Sequence, residues 1–74
     1  MTQREIIKKL EEAAETEGLT RTQLAIRLGI SAGSYYHVRS GERPLGKRII
    51  NGILREFPQL REAVFQYQVS AAAA

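Results

Sequence analysis

The residues with chemical potential are His37, the only histidine, and a run of cations between Arg21 and Arg55. Acid–base or nucleophilic work by His37 needs a hydroxyl, thiol or carboxylate patterned to act with it. No such set is spaced around it. The chain has no Cys, which removes thiolate metal sites and disulfides, and a single His cannot build a multi-histidine site. Neither enzymatic activity nor a cofactor is expected. The cations point elsewhere. Residues 20–55 carry Arg21, Arg27, Arg39, Arg43, Lys47, Arg48 and Arg55 against Glu42 alone. Residues 1–19 hold three cations against five carboxylates, and residues 56–74 hold one against two. Such segregation is the electrostatic footprint of a polyanion partner. The plainer reading is a solvated basic surface.

The elements that must present these cations are helical. With 74 residues the chain is one domain with a modest core. No apolar run approaches the ~20 residues of a membrane span. Met1 to Lys9 mixes charge and Ile too evenly for a signal peptide. A cytoplasmic protein without membrane contact is the expectation. A first helix is predicted from about Thr2 to Glu17. Ile6, Ile7, Leu10, Ala13 and Ala14 recur at helical spacing, Glu5 stands four residues before Lys9, and Gly18 supplies the stop. Thr20 and Gln23 form a capping box for the second helix, with Leu19 and Leu24 as a hydrophobic staple, and Gly29 ends it. Ser31 caps the third helix, Ile30 and Tyr35 staple it, and Gly41 closes it before the turn Glu42-Arg43-Pro44.

A fourth helix begins near Gly46, with Leu45 and Ile50 as its staple and Ile49, Ile50, Ile53 and Leu54 as its buried stripe. Gly52 is a weak position there, costing up to ~1 kcal/mol against Ala. Phe57-Pro58 ends that helix, because the residue before proline avoids helical geometry. Pro58 then opens a fifth helix, with Leu60, Ala63, Val64 and Tyr67 facing inward. The expected domain is 1–70, followed by a disordered alanine tail at 71–74. No strand, repeat or linker is expected.

The stretch from Thr20 to Ser40 carries the functional reading. A helix of about eight residues ends in Gly29, and a new capped helix begins two residues later. Leu24, Ala25, Leu28, Ile30, Tyr35 and Val38 are its inward positions. Ala25 is small where two helices approach, and Gly29 permits the positive φ of a sharp turn. This is the layout of a helix-turn-helix, whose second helix enters the DNA major groove.

Leu19-Thr20-Arg21-Thr22-Gln23-Leu24-Ala25, Leu28-Gly29-Ile30-Ser31 and Val38-Arg39-Ser40-Gly41-Glu42-Arg43 resemble the phage lambda Cro/repressor-type helix-turn-helix family. Phe57-Pro58-Gln59-Leu60 is similar to the opening of that family's fifth helix. The resemblance runs from about Ile6 to Tyr67. It implies a compact, all-α, five-helix lambda repressor-like domain that binds double-stranded DNA and pairs as a homodimer through its C-terminal part. The chain departs from the family pattern at Arg21, where Gln is frequent, and at Ala32 and Gly33, where polar base readers are frequent.

Read from the residues, the exposed stripe of the third helix is Ala32, Gly33, Tyr36, His37 and Ser40. Ala32 could meet a thymine methyl, Gly33 would allow close backbone approach, and Tyr36 and His37 could bond base edges or phosphates. The alternatives are a half-buried surface aromatic and an ordinary exposed imidazole. Lys47 and Arg48 occupy the first turn of the fourth helix, where the macrodipole disfavours cations by ~0.3–1 kcal/mol. Phosphate binding would account for that cost. Arg43 precedes them, Arg39 and Ser40 lie nearby in sequence, and Arg21 and Thr22 could grip phosphate from the start of the second helix. Phe65 and Val69 fall outside the inner stripe of the fifth helix and form the candidate dimer surface. The expected function is a Cro-like or antitoxin-like transcriptional regulator, with no room for a small-molecule effector domain. The bare Ala32-Gly33 start of the third helix keeps a second reading open, a protein-interaction module on the same fold.

Overall fold

Three hydroxyl caps punctuate the first half of the chain and divide it into helices. Thr2 and Thr20 each accept a hydrogen bond from the N–H three residues on, and the side chains of Glu5 and Gln23 return the bond to the cap N–H. Ser31 caps the Ser34 N–H at 3.1 Å. Each such cap is worth about 1 kcal/mol. In the computed structural model, which describes residues 1–73, these caps open α1 (Gln3–Thr16), α2 (Arg21–Leu28) and α3 (Ala32–Arg39). They are followed by α4 (Lys47–Glu56), a 3-10 turn at Pro58–Leu60 and α5 (Arg61–Ala73). The fold is all-helical, with no strand among the described residues. The Cα radius of gyration of 11.3 Å matches the roughly 11 Å of a compact chain this long.

Glu5 closes the cap of α1 rather than pairing forward with Lys9. Its Oε1 accepts from the Thr2 N–H at 3.1 Å, and the Thr2 hydrogen bonds hold its carboxyl below the ordinary range. Gly29, at φ +80°, lets the chain leave α2 in the left-handed conformation and restart at Ser31.

The helices bury one continuous core. Ile6, Ile7, Leu10 and Ala14 of α1 meet Leu24, Ala25 and Leu28 of α2, Tyr35 and Val38 of α3, and Ile49, Ile50 and Ile53 of α4. Leu19 and Ile30, the residues before two caps, pack half-buried against that core, and Leu45 lies within it. Phe57, placed by sequence only as a helix breaker, is a fully buried core residue. Its backbone leaves the helical region at φ −132°, as a residue before proline must, and this turns its ring inward.

Two expectations change. Gly52 is not simply a weak point of α4. A Cβ there would lie 2.9 Å from the Leu28 carbonyl oxygen and 3.1 Å from its Cα, so glycine lets α4 sit directly on the end of α2. The fifth helix also begins and ends later than its sequence signals. Pro58 starts a 3-10 turn instead of the α-helix, and α5 continues past Ser70 through Ala73. Alanine has the highest helix propensity, so Ala71 to Ala73 extend the helix where a disordered tail was expected. Ala74 lies outside the described residues. No helix among these residues is long and apolar enough to cross a membrane.

Candidate nucleic-acid interface

Tyr35 and Val38 anchor α3 in the core, and that fixes what the helix shows on its other side. Gly33, Tyr36, His37 and Ser40 are exposed, and Ala32 is half-buried at the edge. Tyr36 keeps 51% of its surface accessible although its ring meets Tyr35 edge-on, with centroids 6.3 Å apart. The sequence-derived stripe is therefore assembled on one face. His37 Nδ1 lies 2.7 Å from Glu42 Oε2, so the loop after α3 supplies its own partner to the ring. The Ser40 hydroxyl donates to the His37 carbonyl at 3.1 Å and caps the helix end.

Folding also sorts the basic segment into paired and unpaired cations. Arg27 pairs with Glu17 at 3.6 Å and with Glu56 at 3.7 Å. Arg55 pairs with Glu56 at 3.1 Å and donates to the Arg27 carbonyl at the end of α2. Arg21 and Arg39 converge on Glu11. Arg43, Lys47 and Arg48 make no ion pair among the described residues and are exposed. The Arg43 N–H donates to the His37 carbonyl at 3.2 Å, which folds the loop against the end of α3. Lys47 and Arg48 open α4, whose cap residue Gly46 provides no side-chain hydrogen bond. The unpaired N–H groups of that first turn add partial positive charge to two full ones.

Glu11 joins three helices. Its Oε2 accepts the Tyr35 hydroxyl at 2.5 Å and the Arg39 Nε at 2.8 Å, with Arg21 Nε at 3.5 Å. Partial burial pushes its carboxyl up, but the hydrogen bonds from Arg39 and Tyr35 and the two arginine charges outweigh that, and the net shift is downward. Burial, and then the bond to Glu11, push the Tyr35 phenol above its ordinary value. Sequence reading missed this carboxylate because its partners lie 24 and 28 residues away. It missed Gln3 for the same reason. Gln3 Nε2 donates to the carbonyls of Val38 at 2.9 Å and Arg43 at 2.8 Å, tying the end of α3 and the following loop to α1.

Arg21 and Thr22 are exposed at the start of α2. Phe65 and Val69 of α5 are exposed, with 62% and 51% of their surface accessible. Phe65 is therefore no member of the buried core. The chain matches no family model, no curated protein and no solved structure.

Proposed function

We propose that the chain is a sequence-specific DNA-binding regulator, with α2, the Gly29 turn and α3 acting as a helix-turn-helix and α3 entering the major groove. One observation carries the reading. The stripe Gly33, Tyr36, His37 and Ser40 is exposed, the loop residue Arg43 is hydrogen-bonded back to its His37, and Arg43, Lys47 and Arg48 are the cations of the basic segment that make no ion pair among the described residues. In this reading Tyr36 and His37 read base edges, while Ala32 and Gly33 admit close approach of the helix. Arg43, Lys47, Arg48, Arg21, Thr22, Arg39 and Ser40 hold phosphates and set register. The resemblance to the lambda Cro/repressor-type family supports the same assignment. Phe65 and Val69, exposed and one turn apart on α5, form the contact of a two-fold dimer that reads paired half-sites. The protein acts in the cytoplasm and needs no cofactor or effector.

A protein-interaction module is the second reading, favoured by Ile26, which is 69% exposed on α2, and by the bare Ala32-Gly33 start of α3. Selection of bound duplexes from a random DNA pool separates them. A DNA regulator enriches a shared motif. A pool that returns without any enriched motif favours the interaction module.

A further inference from the structure

We propose that Glu11 is an internal phosphate substitute that sets the DNA affinity of the α2–α3 face. The proposal rests on the DNA-binding reading above. Arg39 meets the Glu11 carboxylate with the edge of its guanidinium, Nε to Oε2 at 2.8 Å and Nη2 to Oε1 at 3.4 Å. This is the geometry in which arginine grips a phosphate. Arg21 approaches the same oxygen at 3.5 Å from the start of α2. One carboxylate thus faces two guanidinium groups, and the cluster holds a single net positive charge. Both arginine side chains remain accessible, 49% for Arg21 and 38% for Arg39, so a phosphate can reach them. The long second contact of Arg39 and the long contact of Arg21 make exchange of carboxylate for phosphate easy. Glu11 also accepts the Tyr35 hydroxyl, but it is its charge, carried on α1 beside both arginines, that opposes an incoming phosphate.

The consequence lies in the salt dependence. Affinity falls with salt in proportion to the phosphates a protein neutralises. With Glu11 ionised, Arg21 and Arg39 together neutralise one phosphate rather than two. Glu11→Gln keeps an oxygen for the Tyr35 hydroxyl and removes only the charge. The variant binds duplex DNA more tightly at low salt. Its log–log slope is steeper by about 0.9, so a fourfold rise in salt costs it about 3.5-fold more affinity than it costs the wild type. Tyr35→Phe removes the hydrogen bond without changing charge and leaves the slope where it was. As a readout that needs no variant, the side-chain Nε–H resonances of Arg21 and Arg39 in the wild-type protein shift when duplex is added. Weaker binding by Glu11→Gln, an unchanged or shallower slope, or unmoved arginine resonances on bound DNA overturns the role of Glu11 and leaves the DNA reading intact. Absence of DNA binding by the wild type in the same titration overturns both.

Discussion

Gly52 of α4 lies so close to Leu28 of α2 that a single added methyl would press on the Leu28 carbonyl oxygen, 2.9 Å from the Cβ position. The neighbour is backbone, which cannot swing aside as a side chain would. The α2–α4 contact supports the turn that leads into α3, so this glycine helps set the position of the proposed reading helix. Gly52→Ala gains up to ~1 kcal/mol of helix propensity. Overpacking costs about 1–3 kcal/mol. The net effect is destabilising, and thermal unfolding reads it as a drop of about 4–8 °C for each kcal/mol. An unchanged or raised melting temperature would show that α4 can move away from α2 at no cost.

One hydrogen-bonded pair, Glu11 with Tyr35, is expected to contribute to the pH dependence of stability at both ends. The folded-state pKa of Glu11 lies below its ordinary 4.5, so its contribution is present above that value and is lost as pH falls through the folded pKa. Tyr35 is shifted the opposite way from 10.0, so its contribution is present below that pH and is lost as pH rises beyond it. Thermal melts across pH check both signs. Glu11→Gln flattens the acid limb, and Tyr35→Phe flattens the alkaline limb. Unaltered limbs in both variants would mean that the pair contributes nothing to pH dependence.

The punctuation of the chain is legible without coordinates. Thr20 with Gln23, Ser31, and Gly29 mark three helix boundaries by local chemistry, and each cap forms as its spacing predicts. The apolar stripes that anchor α3 are equally local, which is why its exposed face could be named in advance. What escapes is whatever depends on helices meeting. Gln3 reaches Val38 and Arg43, Glu11 gathers residues from two other helices, and Gly52 answers to a backbone in α2. None of these partners lies within a helical turn in sequence. Formal charge misleads for the same reason at Arg27, which is taken up by the distant Glu17 and Glu56 once the chain folds.

Dimerisation through α5 has a direct test in Phe65→Asp. Phe65 is 62% exposed, so the substitution leaves the core untouched and the helical signal intact. Sedimentation finds a wild-type dimer on its operator and a folded monomeric variant with weaker, less cooperative binding. A wild-type protein that stays monomeric on DNA rules the interface out.

Base reading and phosphate binding separate by variant. Lys47→Ala weakens binding to all sequences about equally, as expected for a phosphate contact. Tyr36→Ala and His37→Ala change which duplex is preferred, by about 1–3 kcal/mol for each lost base contact. Competition titrations with matched and scrambled duplexes measure both. Altered preference in Lys47→Ala, with none in Tyr36→Ala, would put the reading face elsewhere.

The most direct measurement of the central claim is the affinity of the wild-type chain for duplex DNA as a function of salt. Each phosphate neutralised contributes a log–log slope of about −0.9. Arg43, Lys47 and Arg48 alone set a slope of about −2.7 per chain, and Arg21 and Arg39 steepen it further. The expected result is binding at low salt that falls at least that steeply. No binding at low salt, or an affinity that does not change with salt, would contradict it.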